Sequence, residues 1–252
     1  MPAARTLVKT CLGLVVPGLS FHFAGHRLLA KCVGAGCGVA VLVFLVWLGF
    51  PAANWTFMLI ISAHVASVSQ QIQPLMQTRR LATQIILGMV LFAAMSLLIY
   101  LPARNWFYEH AAMPLQTRGN VIVLDPRVGP DAIKCGDNVA YRIEGGYANG
   151  VVVRAGYGYG PVLAVPGDRV AFTANNCRVN GAPKPRLAHM PEAGELVVPE
   201  KCWFIWPDLD IYVHGVSEET VAQGMLKVAL VDQNDFVGQL FKRWFFRKQI
   251  SP

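Results

Sequence analysis

Two patterns of apolar residues divide this chain. Before residue 103 the apolar residues come in long unbroken blocks: no Asp, Glu, Lys or Arg occurs from Cys32 to Thr78, and none from Leu81 to Ala103. A bilayer crossing takes about 20 mostly apolar residues. The first block is therefore long enough for two spans broken near Pro51-Ala52-Ala53-Asn54, and the second for one. The expected spans are Val33–Phe50, Trp55–Gln73 and Gln84–Leu101. Thr10–His26 is also apolar but is interrupted by Pro17-Gly18, so spanning, re-entrant and interfacial placements all stay open. No small-residue cleavage site follows a short apolar core there, and a cleaved leader is not expected.

After Tyr108 the pattern becomes short β-branched runs punctuated by Gly, Pro and Asn. Strands are expected at Val121–Leu124, Asn138–Ile143, Val151–Arg154, Val162–Val165, Arg169–Thr173, Cys177–Val179, Glu195–Val198, Cys202–Ile205 and Lys227–Leu230. Short strands at this spacing predict an antiparallel barrel-like or sandwich domain. Asn180-Gly181 and Pro166-Gly167-Asp168 read as tight turns. In the run Phe236–Ile250, Phe241, Trp244, Phe245 and Phe246 intersperse with Lys242, Arg243, Arg247 and Lys248, which predicts a basic amphipathic helix contacting a lipid bilayer. The expected fold class is thus a membrane α-helical N-terminal region of about three spans (1–103), a mainly-β domain (104–235) and a basic membrane-contacting segment (236–252).

Composition supports the membrane assignment, with 54% hydrophobic and 15% charged residues in 252. The net charge of +7 raises the question of nucleic acid, and its distribution excludes that reading. Arg5, Lys9, Arg27, Lys31, Arg79 and Arg80 precede Arg104, no acidic residue precedes Glu109, and the sixteen basic and fifteen acidic residues from Arg104 onward nearly cancel. This is the positive-inside bias of cytoplasmic loops. It predicts that everything after Ala103 lies outside the cytoplasm. His22, His26 and His64 have no acidic partner in this region, so hydrogen-bonding roles are expected for them.

Cys135, Cys177 and Cys202 fall in the β domain, and Cys11, Cys32 and Cys37 in or beside membrane segments. An oxidising compartment would allow one disulfide among the first three. No Cys-x-x-Cys spacing occurs, and no metal or cofactor is expected.

The order of several short motifs carries a resemblance. Ala111-Ala112-Met113-Pro114-Leu115 is followed by Gly119, eight residues after Ala111. Next come Lys134-Cys135-Gly136-Asp137-Asn138-Val139, then Gly160-Pro161-Val162-Leu163-Ala164-Val165-Pro166-Gly167-Asp168, and then Arg178-Val179-Asn180-Gly181. Over about Ala111–Leu230 this layout resembles the extracytoplasmic domain of bacterial type I signal peptidases, the serine/lysine leader peptidases. A last family block has decayed to Trp206-Pro207-Asp208, while Val197-Val198-Pro199, Gly215-Val216 and Gly224 keep its spacing.

The resemblance places the family's nucleophilic serine at Ala111 and its general-base lysine at Gly160. No serine occurs between Ser96 and Ser217. A methyl group has no lone pair and a glycine no amine, so both halves of the dyad are lost together. Thr117 and Thr173 are the Ser/Thr hydroxyls near these motifs; Cys135 with His110 or His189, and the pair Glu109-His110, read as structural rather than catalytic. The resemblance also implies a bacterial inner-membrane protein whose partner is a secreted or membrane polypeptide, for example a pilin-like one. That partner would be held as an added strand between Glu109–Met113 and Tyr157–Gly160. The implied binding residues are Ala111, Met113, Pro114, Tyr157, Gly158, Tyr159 and Gly160; the turn residues Gly136, Asp137, Pro166, Gly167 and Asp168 are implied as framework. Gly156-Tyr157-Gly158-Tyr159-Gly160 reads equally as a flexible turn or as a groove wall. The rival functions are a divergent leader or conjugative pilin-maturation peptidase with another nucleophile, and a scaffold subunit of a membrane complex.

Overall fold

The computed structural model describes residues 12–76, 81–117, 120–148, 151–207 and 217–248. Arg5, Lys9, Cys11, Arg79, Arg80, Gly119, Asp208, Gly215 and Val216, all used above, lie outside the described residues. The chain forms two compact units, Met1–Glu109 with Gln116–Val121, and His110–Leu115 with Ile122–Pro252.

In the helical unit, α1 (Leu19–Phe23) follows Gly18, whose φ of 84° ends the preceding turn. Then come α2 (Arg27–Val46), α3 (Pro51–Met76), α4 (Leu81–Met95), a π-helical turn at Ser96–Tyr100, and α5 (Leu101–His110). Arg27–Val46, Pro51–Gln71 and Leu81–His110 are long and apolar enough to cross a membrane. The break between the first two is not at Pro51–Asn54 as expected but at Trp47–Phe50. Proline fits the first turn of a helix, where its missing N–H has no partner to lose, and Gly49 with φ 83° makes the preceding turn. The third helix also runs past the expected boundary at residue 103. Pro102 cannot donate to the carbonyl four residues back, and the π turn directly before it takes up that mismatch.

Many large apolar side chains of this unit point outward: Leu28, Trp55 and Leu98 are each more than 75% exposed. Inside, the polar Ser20, His64 and Ser67 are buried together with apolar side chains such as Phe57, Ile61 and Val68. His64 Nδ1 lies 2.7 Å from the Tyr100 hydroxyl and Nε2 3.1 Å from the Gly13 carbonyl. Because a carbonyl only accepts, Nε2–H donates to Gly13 and Nδ1 accepts from Tyr100. Gln71 Nε2 donates to Ser20 Oγ at 2.9 Å. These bonds join helices where apolar burial gives no drive toward association.

The β unit contains a curled five-stranded sheet in the order β1 (Met113–Gln116), β2 (Val121–Asp125), β13 (Phe236–Leu240), β3 (Asn138–Ile143), β6 (Gly156–Pro161). A four-stranded sheet has the order β10 (Gly194–Val197), β7 (Arg169–Phe172), β8 (Asn176–Val179), β9 (Ala182–Pro185). Two-stranded pieces are β11 (Cys202–Phe204) with β12 (Leu230–Asp232), β4 (Gly146–Ala148) with β5 (Val151–Val153), and β14 (Arg243–Trp244) with β15 (Arg247–Lys248). Strand β3 is covered on both faces. Val139, Tyr141 and Ile143 join a core with Trp203 and Ile205, and Ala140 joins another with Leu115, Ile122, Leu124 and Leu240.

Three expected elements differ. Lys227–Leu230 is not a strand, because Lys227 closes helix α6 (Glu218–Ala229). Ser217 accepts the Thr220 N–H at its start, Glu218 and Glu219 sit in the positive first turn, and Val221, Ala222, Met225 and Ala229 are buried. Val162–Val165 is not a regular strand: only Ala164 makes a β-bridge, to Phe204, and Pro166 follows with no N–H to continue a ladder. The C-terminal run is not a helix. Phe236–Leu240 is a strand between β2 and β3, since Gly238 and Leu240 bury at a two-residue period. Gly238 also passes so close to β2 that a Cβ would sit 2.9 Å from the Asp125 carbonyl oxygen. The expected boundary at 236 therefore falls at the start of a sheet strand.

Candidate functional site

Lys134-Cys135-Gly136-Asp137 and Val165-Pro166-Gly167-Asp168 are one turn built twice. In each, the Asp N–H donates to the carbonyl of the first residue at 3.0 Å. The Asp carboxylate accepts the N–H of that same residue, at 2.9 Å from Lys134 and 2.8 Å from Val165. The glycines take φ 93° and 86°, where a side chain would be strained.

Each turn then grips one distant residue from both sides. Gly136 N–H donates to Val162 O while Val162 N–H donates to Asp137 O; Gly167 and Asp168 hold Val198 in the same way. Asp168 additionally accepts from Asn180 Nδ2 at 2.7 Å, and Asn180 Oδ1 accepts the Arg169 N–H. Strands β3 and β7, which belong to different sheets, each begin right after one of these turns, so both motifs set strand starts and their carboxylates are engaged with N–H donors.

Gly156–Pro161 is a full strand, paired along its length with β3: Val139 faces Gly160, Ala140 faces Tyr159, and Tyr141 faces Gly158. The glycines have a packing cause. A Cβ on Gly158 would meet Tyr141 Cζ at 2.6 Å, so the Tyr141 ring lies against this backbone. A Cβ on Gly160 would meet Ile205 Cγ2 at 3.2 Å, and Ile205 is fully buried. Gly160 is therefore backed by a buried isoleucine. Tyr157 is exposed, and Tyr159 packs with Met113 against the cluster of Leu115, Ile122, Leu124, Ala140 and Leu240. The outer strands β1 and β6 thus share one apolar cluster.

On the β1 side, Glu109 and His110 end α5 and are not extended. Glu109–Met113 is therefore not an extended edge as expected: helix α5 continues through His110, and the strand spans Met113–Gln116. Ala111 lies in the connecting turn, half-buried, beside buried Ala112. Pro114 is the second residue of β1, a place that suits an outer strand.

The alternative nucleophiles have structural partners. Thr117 Oγ1 donates to Asn120 O, and Thr173 Oγ1 to Asn176 O, and in each case the threonine backbone N–H bonds the same carbonyl. The Cys135 thiol donates to Leu163 O at 3.1 Å. Cys135, Cys177 and Cys202 are all free thiols, and burial pushes the Cys177 and Cys202 thiols up, with Asp232 adding to the second. Such thiols stay protonated and unreactive. Among the described residues no group of three His, Cys, Asp or Glu side chains is placed to hold a metal ion.

Sequence reasoning did not single out Tyr141, Ile205 or a cleft of about 250 Å³ whose walls include Tyr141, Glu144, Val153, Lys227 and Asp232. The Tyr141 hydroxyl is buried with no hydrogen-bond partner among the described residues, and burial raises its pKa. The available signal was the Gly-x-Gly spacing of β6, which calls for large side chains on the paired strand. No known family profile matches this chain, and no curated protein matches it.

Proposed function

We propose that this chain is a membrane-anchored protein whose β unit, similar to that of a signal peptidase, lies outside the cytoplasm. There it binds a secreted or membrane polypeptide without cutting it. The observation that carries the reading is the pair of outer strands, β1 and β6, whose Met113 and Tyr159 pack on one cluster of a curled sheet. Two sheet edges offer main-chain donors and acceptors to an added strand, a mode of binding that needs no reactive side chain. The methyl of Ala111 and the absent side chain of Gly160 supply neither nucleophile nor base. The Ile205 packing under Gly160 favours loss of the lysine over its displacement to a neighbouring position.

A photo-crosslinking residue at Tyr159, in the full chain expressed in bacterial membranes, tests the binding. Capture of a defined preprotein or pilin-like subunit is expected; absence of any polypeptide adduct would leave the scaffold role instead. Candidate preproteins should remain intact with the unmodified protein, and their cleavage would establish the peptidase alternative. A variant restoring both groups, Ala111→Ser with Gly160→Lys, needs Ile205→Ala as well, because a lysine Cβ would press on the isoleucine.

A further inference from the structure

We propose that the C-terminal β-hairpin is a lipid-docking finger that sets its tip into an anionic bilayer surface. Strands β14 and β15 pair Trp244 with Arg247, so Phe245 and Phe246 form a two-residue tip. Both are exposed, Phe246 at 72%. Phe245 has φ 52°, in the left-handed region where hairpin tips normally carry glycine or asparagine. Local folding preference therefore disfavours this residue, and an exposed aromatic placed against backbone preference points to a role at the surface.

Two further features fit a headgroup layer rather than water. First, the tip is braced by rings: Phe241 and Trp244 lie 5.3 Å apart, and Trp244 meets Phe245 edge-on at 5.4 Å. Second, the exposed Lys242, Arg243 and Lys248 bracket the tip, and no Asp or Glu occurs from Phe236 to Lys248. Aromatic residues favour the membrane interface, and flanking cations add attraction to anionic lipid. The chain also passes from a helix of bilayer length into β1 within three residues. The proposal is independent of whether the β1 and β6 edges hold a peptide.

The test places a benzoylphenylalanine at position 246 of the full chain in nanodiscs of phosphatidylcholine containing phosphatidylglycerol. Position 197, exposed on β10, serves as the control. Phospholipid adducts should form at 246 several-fold above those at 197, and should fall when phosphatidylglycerol is omitted. Lys242→Gln and Lys248→Gln should each lower them by about fivefold. Equal adducts at the two positions, no response to lipid charge, or adducts at 246 with a second copy of the chain would each overturn the proposal.

Discussion

His64 and Tyr141 are both buried, yet they stand for opposite solutions. In the helical unit the buried centre sets a hydrogen-bonded His64, reaching Tyr100 and Gly13, among apolar side chains such as Phe57, Ile61 and Val68, while Leu28, Trp55 and Leu98 face outward. In the β unit the centre is apolar, built on Trp203, Phe204 and Ile205, and the polar groups are spent in turns such as those of Asp137 and Asp168. The difference teaches that exposure carries no meaning until the solvent is named. An outward leucine is stabilising against lipid and indifferent against water.

The sharpest way to break this comparison is to put the same charge on the outside of each unit. Leu98→Asp should disfavour membrane insertion of its span by about 3 kcal/mol, readable as loss of membrane-integrated protein in an insertion assay. Val197→Asp, also on an outward position, should move the melting free energy of the β unit by less than about 0.5 kcal/mol. Similar costs at the two sites would mean that the outward face of the helical unit meets water.

A second prediction concerns close packing inside the β unit. Gly158→Ala should destabilise it by about 1–3 kcal/mol, because the new methyl collides with the Tyr141 ring. Gly156→Ala, two residues away with nothing within 4 Å of its Cβ, should be near neutral. Denaturant melts of the two variants check the pair; equal effects would show that strand propensity, not the ring, demands these glycines.

The smallest effect separates the two tyrosines. Tyr100→Phe removes the partner of His64 Nδ1 and should cost about 0.6 kcal/mol, the usual worth of a bond between membrane helices. Tyr141→Phe removes a hydroxyl without a partner among the described residues, and should leave stability unchanged or raise it by up to about 1 kcal/mol. A loss on Tyr141→Phe would reveal an acceptor for that hydroxyl.

The two units were also unequally legible. Spans announce themselves because a bilayer forbids charge over a whole helix length, so Cys32–Thr78 could hardly be misread. Their ends were less plain: Pro51 looks like a break and instead starts a helix. In the β unit the strands rich in valine were readable, and so were the Gly-Asp turns, whose chemistry is local. Strand β6 escaped, because glycine and tyrosine alternate there for the sake of Tyr141 and Ile205, which are distant in sequence. Helix α6 was hidden by its valine- and leucine-containing end, although Ser217-Glu218-Glu219 marked its start. The C-terminal run has enough aromatic and basic residues to fit either period, and pairing with β2 and β3 decides for the strand. The candidate site depends on the register that sets Val139 against Gly160, which no local pattern encodes.

The π turn at Ser96–Tyr100 has a consequence for how length changes act on this protein. Such a turn amounts to one additional residue threaded into an α-helix. Deleting one residue between positions 96 and 99 would therefore return the span to a regular helix with its two halves still facing as they do now, Tyr100 toward His64 included. The same deletion in the regular stretch at residues 85–90 would rotate one half against the other by about 100°. The turn is thus the place where this span absorbs a one-residue change in length without being re-aimed.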